Sequence, residues 1–127
     1  KRNFDLGDPY YCFCQKTTRL VAEKLKLKKD QYMTTFQSRF GRAEWLKPYT
    51  SETMEELPSL GVKNILVIAP AFSVDCLETI EEIDEENKEI FLKAGGNDFE
   101  YVPCLNDSEG HIECFNKIIE KHTETLE

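Results

Sequence analysis

The chain has 127 residues, 40% of them hydrophobic and 31% charged, and it carries a net charge of -8 at pH 7. That length suits one domain with one core, and no run approaches the ~18 apolar residues of a membrane-spanning helix. The acidic balance argues against nucleic acid as principal partner, because that affinity rests on clustered Lys and Arg, and it favours a metal cation or another protein.

Asp8-Pro9 reads as an N-cap followed by a first-turn proline, opening a helix over residues 10–26 with Leu20, Val21 and Leu25 as apolar positions. Residues 31–40 hold Tyr32, Met33, Thr34, Thr35 and Phe36, a β-branched and aromatic set that predicts a strand. Trp45 to Tyr49 is a loop, after which Thr50 caps a helix running toward Leu60, shortened by Pro58 and stopped by Gly61. Residues 64–70 contain the uninterrupted run Ile65-Leu66-Val67-Ile68-Ala69, which predicts a strand buried on both faces of a parallel sheet. A helix is expected over 75–94 with Gly95-Gly96 as its stop, a third strand over 99–105, and a last helix from Glu109 to about His122, capped by Ser108. Ile112, Phe115, Ile118 and Ile119 form the apolar stripe of that last helix.

The expected order, αβαβαβα with short connections, is an α/β fold: a parallel sheet of three visible strands covered by helices on both faces. Such sheets place their ligand site at the carboxyl ends of the strands, where residues 37–49, 70–78 and 104–108 converge. A sheet of three strands is thin, and a further strand before Lys1 would complete it. The five cysteines are odd in number and lack CxxC spacing, which fits reduced thiols in a cytoplasmic protein better than a disulfide framework or a zinc site. The chain opens at Lys1 without Met, so its natural start is expected upstream.

The densest chemistry follows the apolar strand. On a 100° wheel Glu78, Glu82, Glu85 and Glu89 fall within about 60° of one another, with Ile80, Ile83, Ile90, Phe91 and Ala94 opposite. A solvated helix face accounts for most of these acids, but Glu78 sits at the mouth of the sheet. Packed carboxylates repel, so at least one is expected to titrate above its ordinary range, which suits a group that passes protons or holds a divalent cation transiently. Gln37 to Arg42 offers polar and basic groups to an anion or to solvent, and Trp45 and Tyr49 offer either a flat apolar wall or core. His111 and His122 have no ligand-spaced partner and read as structural or surface residues. Asn106-Asp107-Ser108 reads as turn and cap chemistry.

Taken together, Gly7-Asp8-Pro9-Tyr10, Phe36-Gln37-Ser38-Arg39-Phe40-Gly41-Arg42 with Trp45-Leu46 and Pro48-Tyr49-Thr50, residues 70–79 with Glu82-Ile83, Ala94-Gly95-Gly96 and Leu105-Asn106-Asp107 resemble the ferrochelatases in the same order. The resemblance covers almost the whole chain, and Asp75-Cys76-Leu77-Glu78-Thr79 is similar to the bacterial protoporphyrin-type members. It implies a Rossmann-like three-layer half, the carboxyl-terminal domain of a two-domain enzyme that inserts ferrous iron into protoporphyrin IX in haem biosynthesis. An amino-terminal domain would be the partner across the cleft, and the resemblance allows peripheral membrane contact in the whole protein. The family's His-Gly-x-Pro histidine would lie upstream of Lys1, so the resemblance implies that this chain carries only part of the active site.

The resemblance further implies that Glu78 is the catalytic and metal-handling glutamate, and that Glu82 and Glu86 are acids along a conduit for iron or protons. A π-type widening of the helix would align these acids. Asp75 would support the porphyrin site at the helix start, and Trp45 would lie near the porphyrin. Cys76 stands where some relatives have His. Iron is expected as substrate, without a resident cofactor, and no [2Fe-2S] cluster is expected because the cysteine spacing differs from that of cluster-bearing members. The rival readings are a non-catalytic acidic metal-binding or interaction domain and a chelatase for another tetrapyrrole.

Overall fold

The computed structural model describes residues 7–37 and 44–123. Helix α1 spans Tyr10–Lys24. Pro9 occupies the N-cap position rather than the first turn, and the Asp8 carboxylate accepts from the Tyr10 amide at 2.9 Å. The predicted strand over 31–40 is not formed in its described part. Lys29–Gln31 is a 3₁₀ turn, and the only pairing beyond it is an isolated parallel bridge between Phe36 and Tyr49. Phe36 there donates to Pro48 O and accepts from the Thr50 amide. The β-branched and aromatic side chains serve tertiary contacts instead: Thr34 bonds Thr18 of α1 at 2.7 Å, and Phe36 stacks on Tyr11 with ring centroids 5.7 Å apart. Residues 38–40 of that predicted strand lie outside the described residues.

Helix α2, Thr50–Glu56, tightens into the 3₁₀ turn Leu57–Leu60, where Pro58 lacks the N–H that an α-helix would use. Gly61 ends the turn at φ +91°, in the left-handed region that favours glycine. Strand β1, Asn64–Ile68, pairs in parallel with β2, Asp98–Val102, placing Asn64 opposite Asp98 and Ile68 opposite Val102. The connection between them is a π-helix, Glu78–Asn87, that continues as α3, Lys88–Lys93. The widening that the family resemblance implied is therefore present, and a 3.6-residue wheel does not describe these ten residues. Ile80 accordingly departs from the apolar face and is exposed, whereas Ile83 and Phe91 are buried. After α3 the stop needs two glycines for different reasons: Gly95 has φ +99°, and a Cβ on Gly96 would collide with the Phe91 ring. Helix α4 spans Glu109–Thr123.

The fold is thus α/β with a parallel sheet, formed by two strands rather than three among the described residues. Its core is Met54, Ile83, Phe91 and Phe99, joined by Leu57, Ile65, Val67, Ala69, Ile90 and Tyr101. Those residues come from α2, the π-helix, α3 and one face of the sheet. The expectation of burial on both faces does not hold: burial alternates along β1, and Leu66 and Ile68 are exposed. An apolar run permits two-sided burial but cannot create it, because a second layer must be present to cover the other face. Leu20 of α1, its C-cap Leu25, and the stripe Ile112, Phe115, Ile118 and Ile119 of α4 are also exposed, so neither helix buries its apolar positions against that face. His111 is the buried residue of α4, consistent with its reading as structural.

Candidate active site

Both strands run the same way, so their carboxyl ends deliver residues 69–77 and 103–108 to one edge of the sheet. Asp75 ties the two segments together. Its Oδ1 accepts from Tyr101 OH at 2.8 Å, Thr79 Oγ1 at 3.0 Å and the Cys104 amide at 3.2 Å. Its Oδ2 accepts from Asn106 Nδ2 at 2.7 Å, while its own amide donates to Asn106 Oδ1 at 2.9 Å. The Asn106 amide chiefly, with Tyr101, the Cys104 N–H and Thr79 adding to it against the cost of burial, holds the Asp75 carboxyl well below the usual carboxylate range. The neighbours respond in the opposite direction: burial, the Cys104 thiol and Asp75 push Tyr101 up, and burial pushes the Cys104 thiol up.

Thr79 is fully buried. Its hydroxyl accepts from the Cys76 amide at 3.0 Å, which fixes the first turn of the π-helix. Glu78 is the first residue of that helix and is exposed at the edge of the sheet. The Cys76 side chain, followed by Glu78's own backbone, draws its pKa below the ordinary glutamate value. The shift at Glu78 is therefore opposite to the upward shift that crowding of carboxylates predicts. Hydrogen bonds to the charged form outweigh the small cost of desolvation in this exposed position.

Further along the helix, Glu82 and Glu86 line a cavity of about 390 Å³ together with Gln37, Tyr49, Glu52 and Asn87. Gln37 Nε2 donates to Glu82 Oε2 at 2.6 Å. Buried Asn87 donates from Nδ2 to Glu82 O at 2.5 Å and to Gln37 Oε1 at 3.4 Å. Its Oδ1 is buried without a hydrogen-bond partner. Glu78 and Trp45 do not line this cavity. Among the described residues no three His, Cys, Asp or Glu side chains gather as a metal cage, so the acids occupy separate stations. A larger recess, about 500 Å³, is lined by α4 alone and brings no convergent chemistry to the sheet edge.

A sequence model of the family described as Ferrochelatase matches residues 1–123. The chain belongs to the ferrochelatase family. It is 63% identical over 114 residues to the ferrochelatase of Marinobacter nauticus, an overlap of 90% of this chain and 31% of the relative. With ferrochelatase 2 of Shewanella oneidensis it shares 57% identity over 122 residues, covering 96% of this chain and 37% of the relative. With the ferrochelatase of Hydrogenovibrio crunogenus it shares 57% over 123 residues, covering 97% and 32% respectively. The chain thus spans about a third of the length of the curated ferrochelatases it matches.

Within this chain the sequence-predicted residues fall into three places. Asp75 is turned into the loop network, Glu78 begins the π-helix, and Glu82 and Glu86 share the cavity. Trp45 is exposed in its loop, its amide 3.3 Å from Tyr49 OH, and belongs neither to the core nor to the cavity wall. Sequence reasoning missed Tyr101, Thr79 and Asn87 as site-forming residues. Each is a polar residue inside a predicted strand or helix, and the available signal was an inward register. Among the described residues no helix is long and apolar enough to cross a membrane.

Proposed function

We propose that this chain forms one wall of a ferrochelatase site in which ferrous iron enters protoporphyrin IX as two pyrrole protons leave. The site must then deliver a hard cation and carry off acid. The observation that carries this reading is the Glu78 carboxylate, which opens the π-helix at the sheet edge and is biased toward its charged form by Cys76. An ionised carboxylate offers hard oxygen to Fe²⁺ at neutral pH and, at a lowered pKa, is only a transient proton acceptor. Glu82 and Glu86, exposed to a cavity on the same helix, supply the next station for iron or protons. Trp45 presents a flat ring for the porphyrin from the neighbouring loop.

Because the chain covers about a third of its relatives, the rest of the cleft belongs to the same proposal. That includes the other domain, the histidine implied by the resemblance, and the placement of this domain as the carboxyl-terminal half. The same reading makes the whole protein a cytoplasmic enzyme without a resident cofactor. The test is Glu78→Gln in the longest natural polypeptide carrying this sequence, with Zn²⁺ or Fe²⁺ insertion into protoporphyrin followed by absorbance. Loss of a positioned acid–base group is expected to lower kcat by at least about 100-fold. A rate within twofold of the unaltered protein removes Glu78 from the mechanism.

A further inference from the structure

Asn106 uses every polar atom it has. Its backbone sits at φ +48°, a left-handed conformation that few residues other than glycine adopt. Its amide donates to Ser73 O at 3.0 Å, and its carbonyl accepts from His111 Nδ1 at 2.7 Å. Its side chain grips Asp75 twice, accepting from the backbone N–H and donating to the carboxylate. A single residue in the loop beyond β2 therefore holds both the backbone and the side chain of the turn after β1, and buried His111 of α4 bonds its carbonyl.

We infer that Asn106 is a positioning residue for the reaction: it locks the strand-to-helix turn so that Glu78 is presented in one place, and its own side chain touches neither iron nor porphyrin. The link to Glu78 is short. Asp75, held by Asn106, bonds the Thr79 hydroxyl, and that hydroxyl holds the Cys76 amide. Residues 75, 76 and 79 thus bracket Glu78 on both sides. The left-handed backbone explains why asparagine suits the position: glycine would adopt the conformation but could not grip Asp75, and larger residues would carry the strain. This inference rests on the reading of Glu78 given above.

The test uses two variants in the longest natural polypeptide carrying this sequence. Asn106→Gly keeps the backbone conformation and removes the grip, with retained folding read from the β1 amides. Asn106→Asp keeps size and conformation but sets a second carboxylate against Asp75. Hydrogen exchange of the Asp75 and Cys76 amides should accelerate at least tenfold in both, with β1 amides unchanged. Metal insertion should show kcat reduced by at least roughly tenfold, since a misplacement of about 1 Å in a reacting group can cost on the order of 100-fold, with KM for the porphyrin within twofold. Unchanged exchange at residues 75 and 76 overturns the lock itself. Faster exchange with unchanged kcat overturns its role in the reaction. Glu78→Gln, measured alongside, separates the two readings: if that variant remains active while exchange still accelerates, the failure lies with Glu78 and the positioning role falls with it, although the lock exists.

Discussion

The two ends of the π-helix are built differently. At its start, Asp75 receives three donors on one carboxylate oxygen and one on the other, and buried Thr79 both accepts and donates. At its end, buried Asn87 holds Glu82 O and Gln37 through Nδ2, yet its Oδ1 has no partner and the neighbouring space is open. A fully satisfied polar network fixes a geometry, whereas an incompletely satisfied one beside a cavity leaves room for adjustment. Glu78, the carboxylate proposed to react, sits at the fixed end. Glu82 and Glu86 line the open space at the other.

The largest effect that tests this contrast is expected at Thr79. Thr79→Val keeps the shape of a fully buried side chain and removes the hydroxyl, leaving the Cys76 amide without its acceptor. Stranding a buried donor costs about 1–3 kcal/mol, to be read as a lower urea midpoint. A loss below about 0.5 kcal/mol, the size of an ordinary surface substitution, would show that the first turn is not fixed by this network. The acid dependence of stability comes next. The folded Asp75 carboxyl titrates well below its ordinary value of 3.8, so its contribution is complete above that pH and is lost as pH falls from there through the folded value. Asp75→Asn should therefore flatten the decline in stability below pH 3.8 relative to the unaltered chain. Parallel declines would mean that other carboxyls govern acid unfolding.

The same contrast separates what could be read in the chain from what could not. The strand at Asn64, the glycine stop at Gly95 and Gly96, and the last helix follow from local signals, namely β-branched runs, backbone conformation and capping. The place of Glu78 at the start of the helix that follows β1 was legible from sequence order, and its role is the proposal made above. The strand expected at residues 31–40 does not form in its described part because Thr34 and Phe36 satisfy β propensity and tertiary packing equally well, and their partners Thr18 and Tyr11 lie on α1. Burial of both sheet faces was overestimated because Leu66 and Ile68 are as apolar as Ile65 and Val67, and composition does not reveal which face is covered. The grip of Asn106 on Asp75 joins residues 31 positions apart and leaves no local trace beyond a turn-forming asparagine.

The smallest effect is expected at the open end of the helix. Asn87→Leu removes the bonds from Nδ2 to Glu82 O and Gln37 Oε1, but it also removes an amide oxygen that is buried without a partner. Removing a group that is itself poorly satisfied offsets part of the loss, and the apolar side chain sits beside Ile90 and Phe36 along the cavity. The net change should be below about 1 kcal/mol, smaller than that of Thr79→Val in the same urea titration. Gln37 remains bonded to Glu82 in this variant, so the helix keeps one tether to the preceding loop while losing the other. If Asn87→Leu proves the more damaging substitution, the rigid end of the helix is the one at Asn87. The carboxylates best placed for fixed chemistry would then be Glu82 and Glu86 rather than Glu78.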